Sequence, residues 1–398
     1  MKLCNNQLAF LELVRAGLWE KEACLLQYGN IDFQEIYRLA QEQSVVGLVA
    51  AGFEHVKYVK IPQEYALSVA GGTLQLEQRN IAMNKFIGVL VDKMRKADIY
   101  ALLVKGQGIA QCYDRPFWRA CGDVDFLLSD SNYIKAKEFL TPLANEVDVE
   151  DAYEQHLGLI INPWLVEIHG NLYTAISSEI DRGLKSIQED VFYGGNVRTW
   201  MNGETQVFMP GVNNDICFVF THILKHFFKG ELGLRQICDL CRLLWTYRDT
   251  INLKQLESRL LEMEITSEWK SFASLVVEYL GMPYNTMPFY YVENKWKTKA
   301  ARIMTLVFEK GNMAHNRDMS YQQRYTSTRR RLTTFGIMVK DFSRLFLIFP
   351  KDSIKALWRR TLKGINSFLM VRNKGNNILY NIPMRWDRDL NKLVEAEI

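Results

Sequence analysis

The sequence predicts an α+β fold in which a small mixed β-sheet is flanked by an N-terminal and a C-terminal helical region. Apolar residues recur at helical spacing through the first hundred residues and again after Gly211. Short β-prone runs bounded by turn residues are concentrated between these two parts. With 398 residues, 48% of them apolar and 24% charged, the chain can bury more than one core.

Residues 1–98 form the predicted N-terminal helical region. Short amphipathic helices account for residues 5–52, and Pro62 opens a longer helix that ends near Ala97. One stripe of this helix is apolar, as a helix that faces a core requires. The stripe consists of Leu76, Met83, Ile87, Leu90 and Met94.

Residues 99–204 form the predicted core, which begins with the apolar run IYALLV. The run KGQG follows as a turn, and a short helix ends near Tyr113. The next strand is DVDFLL, and Ser129 or Asp130 then caps the helix YIKAKEFL. The runs HLGLIIN and WLVEIHG predict two more strands, joined by a hairpin turn at Asn162 and Pro163.

Residues 205–398 form the predicted helical C-terminal domain. Its clearest amphipathic segments are DICFVFTHILKHFF, LRQICDLCRLLWTY and SEWKSFASLVVEYL. Cys238 and Cys241 form a CxxC pair within the second segment. No second pair lies nearby, so packing in the helix is favoured over zinc binding for these two side chains.

A basic region covers residues 295–374, with 19 Lys and Arg against four acidic residues, although the net charge of the chain is only +4. This region could contact a polyanion, or it could form solvated helix faces. The run RRR at 329–331, with Arg324 and Tyr325 nearby, fits either interpretation. The segment MVKDFSRLFLIFP could lie on a membrane surface or pack against neighbouring helices.

No apolar run is long enough to span a membrane, and the first residues lack the pattern of a signal peptide. We therefore expect no membrane span and a cytoplasmic location.

Two aspartates in the strand GDVDFLL are the strongest candidates for chemistry. The strand period of two places Asp123 and Asp125 on one face, where their carboxylates can converge on a cation. An all-oxygen site of this kind suits Mg²⁺, with Mn²⁺ as the alternative. Such an ion assists phosphoryl and nucleotidyl transfer by orienting a triphosphate and neutralising its charge.

Other residues near this strand strengthen the prediction. Lys105 and Gly106 lie between a strand and a short helix, where a backbone without a side chain can approach phosphate. Glu167 alternates with Val166 and Ile168, so it points away from the apolar face and could add a third carboxylate. The alternatives are an ordinary turn and an exposed strand glutamate.

The run LLVKGQGIAQCYDRPFWRACGDVDFLL resembles the core motif of the bacterial uncharacterised nucleotidyltransferase family, within the polymerase-β-like superfamily. The matching positions are Lys105, Gly106, Arg119, Gly122, Asp123 and Asp125. A later strand of that family carries an acid two residues before a histidine, and LVEIHG matches it with Glu167 and His169, although the acid is more often aspartate. The specific motifs span residues 101–170.

The resemblance continues less specifically into the helical segment after Gly211. Similar proteins place paired histidines there, followed by an arginine and an aspartate on the next helix. The matching residues are His222, His226, Arg235 and Asp239. The chain departs from most active members at the phosphate loop, where it has Gly106 and Gln107 in place of Gly-Ser or Gly-Gly.

The resemblance implies a metal-dependent nucleotidyltransferase that moves a nucleoside monophosphate from an NTP to an acceptor. In this hypothesis Asp123, Asp125 and Glu167 hold the metal, and Glu167 could instead activate the acceptor. The nucleotide contacts are assigned to Lys105, Gly106, Gln107, Arg119, Gly122 and His169. The acceptor, whether a small molecule, RNA or a protein, cannot be predicted from these motifs.

Two other functions stay open. A catalytically silent module could keep the fold and bind a protein or nucleic-acid partner through its basic region. A zinc hydrolase could use His222 and His226, which are spaced four residues apart on one helix face. No glutamate follows the first of them, as the HExxH motif requires.

Overall fold

The computed structural model describes residues 3–151, 154–312, 327–359 and 361, and it confirms the α+β class. One seven-stranded mixed sheet, in the order β3-β4-β5-β2-β1-β7-β6, lies at its centre. The strands are β1 Ala101–Val104, β2 Asp123–Leu128, β3 Glu146–Val147, β4 His156–Ile161, β5 Trp164–His169, β6 Val197–Asn202 and β7 Thr205–Pro210.

Helices make up most of the remaining described residues. In the N-terminal part they are α1 Asn5–Trp19, α2 Phe33–Glu42, α3 Val46–Glu54 and α4 Gln63–Lys96. Within the sheet region they are α5 Gly106–Ala110, α6 Asp130–Leu140 and α7 Ser178–Phe192. After the sheet they are α8 Val212–Lys229, α9 Leu234–Thr246, α10 Leu253–Glu262, α11 Thr266–Leu280, α12 Asn294–Lys310, α13 Ser327–Phe346 and a helix over 350–359. Among the described residues, no helix is long and apolar enough to cross a membrane.

The pairing of the central strands determines which side chains meet. Strand β2 pairs antiparallel with β1 and parallel with β5, and this register places Asp125 beside Glu167. The β4–β5 hairpin turns at Asn162 and Pro163, as predicted, and Asn162 adopts the positive φ of 55° that such a turn needs. Alternate residues of β2 and β5 therefore face opposite layers.

One face of the sheet is covered by α4 and α6. The predicted stripe of α4 packs there with Phe126 of β2 and Ile168 of β5. Met83, Ile87, Leu90 and Met94 are buried, which confirms the sequence prediction for this long helix. Leu76 is only partly buried.

The other face of the sheet carries the polar residues, and helices α5, α8 and α9 lie over it. The apolar core on this side joins residues of α1–α3 to residues of α8, α9, α11 and α12. Phe10 of α1, for example, contacts Phe308 of α12 edge to face, with ring centroids 5.9 Å apart. The N-terminal and C-terminal helices thus share one core.

The sheet extends further along the chain than its predicted strands. The hairpin formed by β6 and β7 has its turn at Gly203, so the boundary predicted at 204 falls inside it. Strand β7 then pairs in parallel with β1 at the centre of the sheet. Cys238 and Cys241 are fully buried in α9 and form no disulfide, in agreement with the predicted packing role.

Candidate active site

A polar cleft of about 270 Å³ opens where the ends of β1, β2 and β5 meet α8 and α9. Asp123 and Asp125 reach it from β2, and Glu167 reaches it from β5. One carboxylate oxygen from each of the three lies within 4.8 Å of the others. The predicted convergence of these carboxylates is therefore present.

Lys105 supplies a positive charge directly beside this cluster. Its Nζ lies 2.7 Å from Asp125 Oδ1, and both side chains are shielded from solvent. Lys105 also has a positive φ of 57°, which costs a residue with a side chain about 1–3 kcal/mol. Gly106 follows with a φ of 42°, and a Cβ added there would lie 3.3 Å from Cys121 Sγ. Strained backbone at this turn thus accompanies the contact between the lysine and the aspartate.

Two histidines complete this end of the sheet. His169 Nε2 lies 2.9 Å from Asp125 Oδ1 and 3.6 Å from Glu167 Oε2. His156, on the neighbouring strand β4, has its Nε2 3.3 Å from the same Glu167 oxygen. The hairpin register places the two histidines opposite each other, with stacked rings.

Burial and neighbouring charges separate the pKa values of the three acids. Burial, together with repulsion from Asp125 and Glu167, raises the pKa of Asp123 to about 6. Burial also opposes the charged form of Asp125, but Lys105 and His169 outweigh it and lower the pKa of that carboxyl. Against the same burial effect, the contact with His156 lowers the pKa of Glu167. Asp123 is therefore the acid whose ionisation depends most on an added cation.

The acids in turn change the pKa values of the neighbouring basic groups. Burial disfavours the ammonium of Lys105, but attraction from Asp125, Glu167 and Asp123 outweighs it and raises the pKa of that group. The contact with the Glu167 carboxylate raises the pKa of His156, whereas burial lowers the pKa of His169. A protonated lysine and a neutral His169 thus face the ionised carboxylates.

Arg119 borders the cleft, but its guanidinium is bound by Asp239 of α9. Its Nε and Nη2 donate to the two oxygens of Asp239 at 2.8 and 2.7 Å, and Nη1 donates to the carbonyl of Ala120. Tyr113 donates its hydroxyl to the same carboxylate at 2.8 Å. All of this ion pair is buried, with side chains only 4% and 6% exposed. Arg119 therefore fixes α9 against the loop that precedes β2.

Arg235 faces the acids from the same helix. Its Nη1 donates to the Ala120 carbonyl at 2.8 Å, while its Nε is buried and finds no hydrogen-bond partner among the residues that the structure describes. Its charge also lowers the pKa of Asp123, against the larger opposing effect of burial. Arg235 is thus the arginine of α9 that carries an unsatisfied donor in the cleft lining.

The remaining predicted nucleotide contacts lie outside the cleft lining. Gln107 is buried, and its amide donates to Asn80 Oδ1 at 2.8 Å and contacts Met83. Gly122 precedes β2, and a Cβ added there would meet no atom of the described part of the chain within 4 Å. Both assignments stay predictions.

The two histidines of α8 also line the cleft. His222 Nε2 and His226 Nε2 lie 3.0 Å apart, and burial lowers the pKa of both rings. Among the described residues, the groups suited to bind a metal combine His156, Glu167 and His169, or Asp123, Asp125 and Glu167. The histidine pair of α8 belongs to neither group, so the geometry does not favour the zinc hydrolase.

His156 was not among the predicted site residues, although the length of the hairpin turn determines its position. A two-residue turn at 162–163 pairs residue 161 with 164, and the same register pairs His156 with His169. Other cleft residues, such as Glu154, Tyr173 and Lys225, gave no comparable signal because loops and α8 bring them there.

The basic region is described only in part. Arg324 and Tyr325 lie outside the described residues, and the side chains of 329–331 are not described. Several other basic side chains of the region form ion pairs, including Lys310 with Asp341 and Arg359 with Asp181, both at 2.6 Å. In the segment MVKDFSRLFLIFP, Phe349 is buried and Leu347 is exposed. Contact with a polyanion stays a prediction.

A mixed sheet with an acidic cluster at a cleft is the arrangement expected for a nucleotidyltransferase, the class of protein that the motif resemblance implied. The model of the uncharacterised nucleotidyltransferase family matches residues 29–281, and the chain belongs to that family. The match extends on both sides of the predicted core and includes α8 and α9. Searches of the curated proteins and of the solved structures each found no match.

Proposed function

We propose that this protein is a metal-dependent nucleotidyltransferase that binds the triphosphate of an NTP in the cleft and transfers a nucleoside monophosphate to an acceptor. The observation that carries the proposal is the convergence of Asp123, Asp125 and Glu167 within 4.8 Å, beside the ammonium of Lys105. Membership of the nucleotidyltransferase family supports the same reaction class.

The donor set fits a hard divalent cation. Three carboxylates that lie this close together repel one another. Burial and, to a lesser extent, this repulsion raise the pKa of Asp123. Mg²⁺ prefers such oxygen ligands and fills the rest of its shell with water and phosphate, and Mn²⁺ accepts the same ligands. When bound, the ion would supply charge neutralisation for the triphosphate. Asp123, Asp125 and Glu167 are the residues that would hold it.

The chain's own residues position the reactants. Lys105 and Arg235 place positive charges beside the carboxylates, where phosphate oxygens would be bound, and the turn at Gly106 keeps side-chain bulk away. Arg119 acts indirectly, by fixing α9 through Asp239. In the transfer, an acceptor oxygen bonds to the α-phosphorus, the bond to the bridging oxygen breaks and pyrophosphate leaves. Glu167, ionised because its pKa is lowered, can take the acceptor proton if it does not bind the metal.

One observation favours the second candidate, a catalytically silent binding module. The Lys105 ammonium already neutralises Asp125 at 2.7 Å, so the cluster has a counter-ion of its own. A module that has lost catalysis could keep this ion pair and use the fold to hold a protein or nucleic acid. Binding of a metal and a nucleotide separates the two candidates.

The test is calorimetric titration of each NTP, with and without Mg²⁺, into wild type and into Asp123→Asn/Asp125→Asn. Asp98→Asn/Asp249→Asn removes the same charge from side chains that are 74% and 83% exposed, and it serves as the matched control. Binding of an NTP that needs Mg²⁺, survives in the control and is lost in the cluster variant supports the transferase. No NTP binding by folded wild type overturns it in favour of the silent module.

A further inference from the structure

The β4–β5 hairpin brings two histidines and a glutamate together on the face that lines the cleft. Because its turn has two residues, His156 lies opposite His169, and Glu167 lies opposite Gly158, which has no side chain. The imidazole rings stack with centroids 4.7 Å apart and an angle of 21° between their planes. This arrangement follows from backbone register and does not depend on a loop.

The ligand atoms of these three side chains lie close together, and His169 Nε2 also contacts Asp125 Oδ1 at 2.9 Å. His156 Nε2 and His169 Nε2 lie 3.3 and 3.6 Å from the same Glu167 oxygen, Oε2. All three atoms lie within 4.8 Å of one another. His156 Nε2 is also buried, and its 3.3 Å contact with Glu167 Oε2 lacks the geometry of a hydrogen bond, so among the described residues this nitrogen is not satisfied by one. A buried nitrogen without a hydrogen bond is costly unless a ligand satisfies it.

This donor set differs in chemistry from the acidic cluster. Two imidazole nitrogens and one carboxylate oxygen suit Zn²⁺, Fe²⁺ and similar transition ions, whereas Mg²⁺ takes oxygen ligands. Three protein ligands that leave a coordination position free are also typical of metal sites that act on a substrate. Glu167 belongs to both sets, His156 only to this one, and Asp123 only to the acidic cluster.

We propose that His156, Glu167 and His169 form a second cation site, selective for a transition-metal ion over Mg²⁺. The site adjoins the acidic cluster through Glu167, so the cleft offers two unlike cation positions side by side. Binding of such an ion by the chain alone does not depend on nucleotide transfer.

Co²⁺ is the probe, because its visible absorption reports nitrogen ligation and low coordination number. We expect nucleotide-free wild type to bind Co²⁺ with an intense visible band, and a tenfold excess of Mg²⁺ to leave the band in place. His156→Gln should weaken Co²⁺ binding at least about a hundredfold. Removing a residue that only hydrogen-bonds to a metal ligand already lowers metal affinity by up to about a hundredfold, and removing the ligand itself should lower it further. Asp123→Asn is the matched variant and should keep the band.

Several results would overturn the proposal. They are no Co²⁺ binding by wild type, a weak band typical of six oxygen ligands, equal binding by His156→Gln, or loss of the band in Asp123→Asn. His156→Asn is the second variant if His156→Gln fails to fold, as judged by circular dichroism. The NTP titration with Mg²⁺ reports the proposed transferase separately, so the two proposals can fail independently.

Discussion

The buried ion pair between Arg119 and Asp239 gives the sharpest test of how the cleft is assembled. Arg119→Met leaves the Asp239 carboxylate buried with the Tyr113 hydroxyl as its remaining side-chain donor. Asp239→Asn leaves a buried guanidinium without its counter-ion. Each change should lower the free energy of unfolding by about 3–5 kcal/mol, the usual cost of removing one partner of a buried pair.

The magnitude follows from the geometry of this pair. Both side chains are almost fully buried, and Asp239 accepts two bonds from the guanidinium and one from Tyr113. The double variant removes both charges, so it should lower the free energy of unfolding by little more than either single change does. The resulting coupling energy should reach about 3 kcal/mol, the upper end for residues in one network. Arg119→Lys keeps the charge but loses the pair of parallel hydrogen bonds to Asp239. Its free energy of unfolding should therefore lie between those of wild type and Arg119→Met.

Urea unfolding followed by tryptophan fluorescence measures these energies, since the chain has nine tryptophans. Arg248→Met/Asp249→Asn removes an exposed pair with side chains 38% and 83% accessible, and it should change stability by less than about 1 kcal/mol. Single changes at Arg119 and Asp239 that each lower the free energy of unfolding by under about 1 kcal/mol, and that add up in the double variant, would contradict a buried, coupled ion pair. Lost NTP affinity with unchanged stability in Arg119→Met would instead assign that arginine to phosphate.

Three further changes test other parts of the molecule. Because the pKa of Asp123 is raised to about 6, calorimetric Mg²⁺ affinity should fall as the pH drops through that value, and an affinity that stays flat would contradict this. Burial raises the pKa of Glu268, so at pH values between its unfolded and folded pKa the folded state keeps a proton that the unfolded state has released. The free energy of unfolding therefore falls as pH rises through this range. Glu268→Gln should therefore raise the free energy of unfolding by about 1–3 kcal/mol at neutral pH and flatten this dependence, and no gain in urea unfolding would count against it. Gly17→Ala should lower the melting temperature, at a cost of about 1–3 kcal/mol, because its Cβ would lie 2.0 Å from the Leu48 carbonyl; Gly71→Ala in open space is the control, and equal melting temperatures would refute the clash.

The spacing of apolar residues predicted much of the fold because it indicates which face of a helix or strand is buried. The apolar stripe of α4 and the alternation in β2 and β5 identified the layers that cover the sheet. The hairpin of β6 and β7 was missed because its outer strand, VRTWMN, is half exposed at the sheet edge and has few apolar residues. The shared core of the N-terminal and C-terminal helices could not be predicted either, since local spacing carries no information about distant partners.

The candidate site was predictable where strand geometry alone determines it. Asp123, Asp125 and Glu167 converge because strand period and parallel register place them on one face. The arginines were not predictable in this way, because Arg119 and Arg235 reach the cleft from a loop and a helix. Only the tertiary structure shows that one is bound by Asp239 and that the other keeps an unsatisfied donor.

Helix α9 therefore determines which arginine joins Lys105 beside the carboxylates. Arg235 and Asp239 are four residues apart, so they lie on one face of this helix, where Asp239 binds Arg119 and leaves Arg235 beside Asp123. A fragment limited to 99–204 would lack both α9 residues and would leave the Arg119 guanidinium without its counter-ion. The cleft consequently requires the helices after the sheet, and the family match, which continues to Gly281, includes them.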